Sequence, residues 1–446
     1  MSNPRQVAFI ALKEVHRGAY ADVALDRVLQ KYKLPDNDRR LMTELVYGSV
    51  RRQRTLDAII DQLATKKAHQ QPPELRTILH LGFYQLRYQE KIPPSAAVNT
   101  TVELAKANGF SGLTGFVNGL LRQYLRLVET SSEPLKLPDN PIERLGILHS
   151  FPDWIIEVWL KQLGLEETEK LCAWMNQTPT IDLRVNMLKC SLAPVESAFK
   201  SAGVLVKRIP HLPQALRLIG NNGAIQNLPG FREGWWTVQD SSAQLVSHLL
   251  DPKPGNVVID VCAAPGGKTT HIAELMGDKG KIYACDKTAS RLRKLKENAQ
   301  RLNLQSIEIS TGDSRTFTQF HNIDDCVLLD APCSGLGTMH RHADARWRQT
   351  PVSVQELSQL QKELISHTAT FVKAGGVLVY ATCTLHPAEN EEVISEFLAT
   401  NPHWQIEPPS FDFVDISTPG WLKVWPHQLD MDGFFMVRLR KTKDSE

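Results

Sequence analysis

Three features are scarce in this sequence of 446 residues: long apolar runs, paired cysteines and net charge. No run of about 18 apolar residues occurs, so we expect no membrane-spanning helix. Seven cysteines occur without a Cys-x-x-Cys pair, which argues against a disulfide framework and a zinc site, so no metal is predicted. Unpaired cysteines suit a reducing compartment, and we expect a cytoplasmic protein. The net charge of +2 is uninformative about nucleic acid.

The first third of the chain is its most basic part. Residues 1–150 contain 21 Lys/Arg and 15 Asp/Glu, a balance of +6. This balance is a mild indication of a polyanionic partner, and a solvated helical surface is an equally good interpretation. Apolar residues recur at three- and four-residue spacing through residues 5–125, with breaks at prolines. The pattern predicts an all-α domain, which we place at residues 1–135.

The pattern changes after a polar, proline-bearing stretch at residues 129–141, which we interpret as a linker. Two strand-like segments around a helical one predict a small α+β module at residues 145–238. Over residues 239–442, short apolar runs alternate with helical stretches. This alternation predicts a doubly wound, Rossmann-like α/β domain with a parallel sheet. The five apolar runs are NVVIDVCA, KIYACD, SIEIST, CVLLDAP and GGVLVYAT.

The first of these runs leads into a loop of small residues followed by a helix. Small residues let the backbone approach a ligand, and the helix offers free N–H groups. A phosphate-binding P-loop would need a glycine where Cys262 stands, so that alternative is disfavoured. The loop residues are Cys262, Ala263, Ala264, Pro265, Gly266, Gly267 and Lys268.

Acidic residues follow the other strands. Asp286 ends the second run, nineteen positions after Gly267, where a carboxylate can accept hydrogen bonds from ribose hydroxyls. Asp313 follows the third run and Asp330 ends the fourth. Three carboxylates would repel a triphosphate but tolerate S-adenosylmethionine, which carries a sulfonium and an ammonium. The alternative for any one of them is a helix N-cap.

Two cysteines, Cys333 and Cys383, follow the fourth and fifth runs and should lie at the same sheet edge. A thiolate that adds to C6 of a pyrimidine turns C5 into a nucleophile for a sulfonium methyl group. Asp330 is placed to donate a proton to N3. A second cysteine offers a base for the C5 proton. The chemistry of the residues leaves open which cysteine is the nucleophile.

The segments CAAPGGKT, YACD, DAPCSGLG and YATCTLHPAENE together resemble the RNA cytosine-5 methyltransferases, a class I S-adenosylmethionine-dependent family. The resemblance implies that Cys383 is the nucleophile, Cys333 acts in product release and Asp330 is the acid for N3. It also implies that residues 262–268, Asp286, Asp313 and Asp330 bind S-adenosylmethionine. DNA cytosine methyltransferases resemble the same fold but use the Pro-Cys cysteine as nucleophile.

The rest of the chain also carries a resemblance. ELVYGSVRRQRTLD, LGFYQLRY, IPPSAAVNTTVELAK and FVNGLLR resemble the NusB-like RNA-binding domain, and RVNMLK resembles the family's small RNA-binding-like module. The combination implies the bacterial methyltransferases of cytosine 967 in 16S rRNA, with 16S rRNA as partner and a monomeric enzyme. The alternatives are a tRNA methyltransferase and a non-catalytic RNA-binding or ribosome assembly factor.

A basic loop at residues 339–348, MHRHADARWR, follows the Pro-Cys segment. Its cationic and ring-bearing side chains predict a surface that grips phosphates and stacks a base. An ordinary surface loop is the alternative. The side chains concerned are His340, Arg341, Arg346 and Trp347.

Overall fold

The computed structural model describes residues 3–131, 133–220, 222–409, 411 and 420–442. The chain forms two compact units, one of Met1–Gln177 with Met339–Arg348 and one of Thr178–Thr338 with Gln349–Glu446. The division into domains at residues 1–135, 145–238 and 239–442 stays a prediction. Across the described residues, no helix has both the length and the hydropathy that crossing a membrane requires.

The first unit is helical, as the apolar spacing predicts, and no strand occurs in the part of it that the structure describes. Its core contains the apolar faces of these helices, with Leu45, Ile60, Ile78 and Phe83 fully buried. The helix α9 is interrupted at Gly164, whose φ is 75°. The helices are α1 (Pro4–His16), α2 (Ala21–Lys31), α3 (Asp36–Arg51), α4 (Gln53–Leu63), α5 (Pro73–Tyr88), α6 (Pro94–Ala107), α7 (Thr114–Thr130), α8 (Pro141–His149) and α9 (Asp153–Trp174).

The basic loop at residues 339–348 also belongs to this unit. Arg346 is fully buried, and its guanidinium donates to the carbonyl oxygens of Arg51 (3.3 Å), Ser150 (3.1 Å) and Met175 (3.4 Å). These carbonyl groups lie at the ends of α3, α8 and α9, where the helix dipole favours a cation. Arg346 also lies 4.0 Å from the ring centroid of Phe151.

The other ring-bearing side chains of the loop are engaged as well. His340 is buried against the Trp174 ring, with 4.4 Å between centroids. The indole N–H of Trp347 donates to the Val50 carbonyl oxygen at 2.7 Å. The expectation that His340 and Arg346 grip RNA phosphates is therefore wrong, because packing and helix carbonyl groups already occupy them.

We expect Arg346→Met to destabilise the protein by about 2–4 kcal/mol, because buried carbonyl groups at three helix ends lose their donor. Chemical denaturation of the full chain measures this change. The exposed Arg144 gives a matched control, since Arg144→Met should change stability by no more than about 0.5 kcal/mol. Unchanged stability of Arg346→Met, together with weaker RNA binding, would restore the phosphate-gripping interpretation.

The second unit contains two sheets. The smaller one is antiparallel, with strand order β2-β3-β1-β4, and carries the helix α10 (Leu192–Ser201). The predicted strand, helix and strand of the α+β module correspond to β1, α10 and β2. The strands are β1 (Ile181–Val185), β2 (Leu205–Arg208), β3 (Ala215–Ile219) and β4 (Trp236–Val238).

Among the described residues, the larger sheet has eight strands in the order β10-β12-β9-β8-β5-β6-β7, with β11 paired to β12. The five predicted runs form its parallel part, β5 to β9, which confirms the doubly wound, Rossmann-like fold. Sequence analysis missed the antiparallel strands β10 to β12. The strands are β5 (Val257–Asp260), β6 (Lys281–Asp286), β7 (Ile307–Thr311), β8 (Asp324–Asp330), β9 (Val372–Thr382), β10 (Trp404–Ile406), β11 (Leu422–Val424) and β12 (Phe434–Lys441).

Helices follow most strands of this sheet, and their order explains where the candidate site lies. Because the parallel strands share one direction, the segments that leave their carboxyl ends meet at one edge. The helices of this part are α11 (Ser241–Leu250), α12 (Gly267–Leu275), α13 (Ala289–Leu302), α15 (Pro351–Thr368), α16 (Glu391–Thr400) and α17 (Pro426–Leu429); the short α14 (Ala345–Arg348) lies in the first unit.

Candidate active site

The two candidate cysteines are in contact. Strands β8 and β9 pair in parallel with Asp330 opposite Ala381, so Cys333 and Cys383 emerge side by side. Their sulfur atoms are 3.4 Å apart. The Cys333 loop is closed by the Gly337 amide, which donates to the Cys383 carbonyl oxygen at 2.9 Å. A Cβ at Gly337 would lie 2.0 Å from the Gly433 carbonyl oxygen, so only glycine fits there.

The two thiols differ in acidity. The hydrogen bond between the two sulfur atoms lowers the pKa of Cys383, and Lys268 lowers it further, whereas burial and Asp330 oppose this shift. The same hydrogen bond, together with burial, raises the pKa of Cys333 well above its ordinary value. Because the thiolate is the reactive form of cysteine, a hydrogen bond of this kind favours one thiolate within the pair.

Lys268 and Asp330 form an ion pair beside the cysteines. The Lys268 Nζ is 2.6 Å from an Asp330 carboxylate oxygen and 5.0 Å from the ring centroid of Phe434. Burial lowers the pKa of Lys268, but the Asp330 carboxylate outweighs it and the pKa is raised. An ammonium held by Asp330 is not free to bind phosphates, which counts further against the P-loop alternative.

A buried carboxylate joins the two cysteine segments, and sequence analysis assigned it no role. Glu389 accepts hydrogen bonds from the Ser334 amide (2.8 Å), the Ser334 hydroxyl and the Gln361 amide group (3.1 Å). Asn390 accepts from the Thr382 hydroxyl (2.6 Å) and donates to the Thr384 carbonyl oxygen (3.0 Å). The segment HPAENE carried the signal, since two polar residues directly before a helix are candidates for such contacts.

The small-residue loop turns tightly between β5 and α12. Gly266 has a φ of 102°, and a Cβ there would lie 2.6 Å from Leu295 Cγ, so the position requires glycine. The Ala263 amide donates to the Cys285 carbonyl oxygen (2.8 Å), and the Ala264 amide donates to the Asp286 carboxylate (3.3 Å). The loop is therefore held against the end of β6. Burial raises the pKa of the Cys262 thiol well above its ordinary value, so this cysteine is not the reactive one.

Asp286 and Asp313 also make local contacts of the kind that the N-cap alternative predicts. Asp286 accepts from the Thr288 amide at 2.8 Å, and Asp313 accepts from the Arg315 amide at 3.1 Å. The hydrogen-bonded Arg315 side chain lowers the pKa of Asp313 to about 2. Asp313 and Cys262 nevertheless line a cavity of about 130 Å³. The other residues that line this cavity are Val261, Lys287, Gly312, Ser314, Arg315, Pro332, Leu360 and Leu364.

Asp260, at the end of β5, is a candidate residue that sequence analysis missed. One carboxylate oxygen accepts from the Thr269 hydroxyl at 2.7 Å, whereas the other is buried without a hydrogen-bond partner in the described structure. Burial raises the pKa of Asp260 to about 7. A buried acceptor without a donor fits a cationic ligand group. The signal was a charged residue inside the apolar run NVVIDVCA.

Asp260 should make stability depend on pH. Its pKa is raised from 3.8 to about 7 in the folded protein, so the folded state binds the proton more tightly and stability falls as pH rises through this window. We expect Asp260→Asn to reduce the stability lost between pH 5 and pH 8 by roughly 2 kcal/mol. Urea denaturation at both pH values measures it.

The exposed Asp139 provides the control, because Asp139→Asn should keep the pH dependence of the wild type. An Asp260→Asn variant with the same pH dependence as the wild type would show that Asp260 is not the titrating group.

One edge of the doubly wound sheet holds the small-residue loop, the carboxylates at the strand ends and the two cysteines in contact. This combination is typical of a Rossmann-like methyltransferase. Three family models match the chain: "16S rRNA methyltransferase RsmB/F" at residues 247–440, "NusB family" at 2–126 and "Methyltr_RsmF/B-like, ferredoxin-like domain" at 151–224. The chain belongs to the family of ribosomal RNA small subunit methyltransferase B.

Relatives match over the whole chain. A "Probable ribosomal RNA small subunit methyltransferase B" of Synechocystis is 50% identical, over 99% of this chain and 100% of the relative. A "Ribosomal RNA small subunit methyltransferase B" of Serratia proteamaculans is 38% identical, over 98% and 99%. The chain is thus an rRNA methyltransferase.

Solved structures agree with the fold. The crystal structure of PH0851 is 29% identical and covers 99% of both chains with a TM-score of 0.80. NSun6 from Pyrococcus horikoshii, solved with SFG, is 25% identical with a TM-score of 0.61 and covers 67% of this chain and 100% of its own. These likenesses and family models confirm the NusB-like and Rossmann-like parts of the predicted fold.

Proposed function

We propose that this enzyme methylates carbon 5 of a cytosine in 16S rRNA, cytosine 967, with S-adenosylmethionine as methyl donor. The observation that carries the proposal is the contact of 3.4 Å between the sulfur atoms of Cys333 and Cys383. Carbon 5 of cytosine is a poor nucleophile until a thiolate adds to carbon 6. A second sulfur at this distance supplies the base that the reaction later needs.

The proposed roles follow from the family resemblance and from the contacts of each group. Cys383, whose pKa is lowered, adds to C6 of the cytosine as thiolate. A proton of the Lys268 ammonium passes through the paired Asp330 carboxylate, which delivers it to N3, so that the ring becomes an enamine. After C5 is methylated, Cys333, which has released its thiol proton to water, removes the C5 proton. The C6–sulfur bond breaks, the Cys383 thiolate leaves, and N3 returns its proton to the pair of Asp330 and Lys268.

S-adenosylmethionine supplies an electrophilic methyl group when bound. We propose that residues 262–268 form the backbone of its site and that Asp286 accepts hydrogen bonds from its ribose hydroxyls. The cavity of about 130 Å³ beside Asp313 suits its flat base. The Asp260 oxygen that lacks a donor suits its ammonium, and Asp330 faces both the cofactor and the cytosine. The positively charged groups of the bound cofactor would in turn favour the ionised form of the Asp260 and Asp330 carboxylates.

The target cytosine must be accessible from above its ring. A stacked base hides C6, so the enzyme needs a single-stranded or flipped-out nucleotide, and unstacking costs a few kcal/mol.

Covalent trapping tests the assignment of the cysteines. With 16S transcript and S-adenosylmethionine, Cys333→Ala should accumulate a protein–RNA adduct on denaturing gels, because the adduct forms but its proton is not removed. Cys383→Ala should show neither adduct nor methylation, a loss of roughly 10³-fold or more. Cys190→Ala, at a partly exposed cysteine of the small module, should behave as the wild type.

An adduct in Cys383→Ala would reverse the two roles. Mass spectrometry of the product tests the nucleotide, and we expect one 5-methylcytosine at position 967. Methylation of a tRNA transcript in preference to 16S rRNA would contradict the proposed substrate. Absence of methyl transfer by the wild type to either RNA would favour a non-catalytic assembly factor.

A further inference from the structure

The segment RVNMLK at residues 184–189 lies at the end of β1 in the small module, and the proposed reaction gives it no role. Leu183 and Val185 point into the core of the module itself. Arg184 lies between them in the strand and therefore points to the opposite face. That residue is fully buried, so this part of the sheet face is not an open RNA-binding surface.

The Arg184 guanidinium is bound to α12, including Gly267 at its start, and to Gln239. Its Nε and Nη2 donate to the two Glu274 carboxylate oxygens at 3.0 Å and 2.8 Å. Nη2 also donates to the Thr270 hydroxyl at 2.9 Å. Nη1 donates to the Gly267 carbonyl oxygen at 2.7 Å and to the Gln239 side-chain oxygen. These contacts use all five N–H groups of the arginine.

The contact with Gly267 is the important one for the site. Its carbonyl group belongs to the same peptide unit as the Lys268 amide, so fixing it fixes the direction in which Lys268 leaves the backbone. Lys268 then reaches Asp330 at 2.6 Å. A planar guanidinium in two hydrogen bonds to Glu274 has one orientation, which makes it a rigid reference for the loop.

The same segment also holds the second helix of the site. The Asn186 side chain donates to the Leu302 carbonyl oxygen at 3.4 Å, and the Lys189 Nζ donates to the Arg301 carbonyl oxygen at 3.3 Å. Both carbonyl groups lie at the carboxyl end of α13, the helix that follows Asp286. RVNMLK therefore contacts the two helices that come after the candidate cofactor-binding segments.

We propose that Arg184 is a positioning residue for the cofactor, and that the small module completes the S-adenosylmethionine site by fixing residues 266–268. The inference rests on the proposed function, because it takes this loop to bind S-adenosylmethionine. Arg184 touches neither cofactor nor RNA in this proposal and acts through the Gly267 carbonyl group.

Arg217 offers a matched control. It lies on β3, on the same face of the small sheet, since Arg184 pairs with Ala215 and Asp182 pairs with Arg217. It is also buried and bound to a carboxylate, with its Nε 2.6 Å from Asp182. Its other partner is Asp430. Within the described residues, it makes no hydrogen bond to the cofactor loop or to α12.

The experiment compares Arg184→Lys with Arg217→Lys in the full-length enzyme. Each lysine keeps the buried charge, but a single ammonium cannot bind Glu274, Thr270 and Gly267 together. We expect Arg184→Lys to raise the Kd and the KM for S-adenosylmethionine about tenfold, with the KM for 16S transcript within about twofold of wild type. Arg217→Lys should lower the melting temperature by a similar amount and leave both cofactor constants unchanged.

Local amide hydrogen exchange distinguishes a loosened cofactor loop from a general loss of stability. Amides of residues 264–270 should exchange faster in Arg184→Lys but not in Arg217→Lys. If Arg184→Lys does not fold, Glu274→Gln removes the counter-ion instead and should raise the Kd about threefold.

Three results would overturn the inference. The first is wild-type affinity for S-adenosylmethionine in Arg184→Lys or, where that variant does not fold, in Glu274→Gln. The second is an equal loss of affinity in Arg217→Lys, which would mean that any damage to the sheet weakens the site. The third is a wild-type enzyme that does not bind S-adenosylmethionine at all, and only this result would also overturn the proposed function.

Discussion

The parallel pairing of β8 with β9 is the constraint on which the candidate site depends. Asp330 lies opposite Ala381, so the two strands end at the same level of the sheet and the cysteines that follow them come into contact. A shift of one residue in register would turn every side chain of one strand to the other face. Apolar residues such as Leu328, Leu329, Val379 and Tyr380 are fully buried, and their burial on both faces maintains the register. The contact between the two cysteines is thus a consequence of the core.

Charge at this edge is arranged to attract a cation. Asp260, Asp286 and Asp330 end adjacent strands, and each ionised carboxylate raises the cost of ionising its neighbours. Lys268 pairs with Asp330, and Arg291 lies 3.6 Å from Asp286. Burial and Asp330 raise the pKa of Asp260, and Lys268 offsets only part of this effect. The edge holds an excess of negative charge that a sulfonium and an ammonium would neutralise.

The parts of this fold that repeat a simple pattern could be predicted from the sequence. Buried parallel strands are continuous apolar runs, and all five were found. Strand β12, FFMVRLRK, was missed for two reasons. Its second half alternates apolar and basic residues, and it is not part of the strand-helix repeat. Its Phe434 lies over Lys268. Antiparallel strands at the end of a parallel sheet follow no such repeat, so only the packing shows them.

The parts of the site that lie in sequence motifs could be predicted. The parts whose role depends on burial in the folded protein could not. Small residues before a helix pointed to the loop, and two cysteines after two strands pointed to each other. Asp260 was hidden in an apolar run, because a single acidic residue there resembles any strand end. Whether the Asp260 carboxylate has a partner depends on how the following turn places Thr269 and on Asp330, which is remote in sequence. These neighbours are known only once the chain is folded.

The arginines of this enzyme show why the number of basic residues in a segment does not predict its contacts with RNA. Arg346 lies in the basic loop at residues 339–348, and Arg184 lies in a segment that resembles an RNA-binding module. Both are fully buried, and both donate to backbone carbonyl groups. A guanidinium directs five N–H groups in one plane, so it fixes several carbonyl groups at once where a lysine would fix fewer. The same geometry that suits phosphates also suits the ends of helices and tight loops. Charge therefore indicates RNA only after burial has been taken into account.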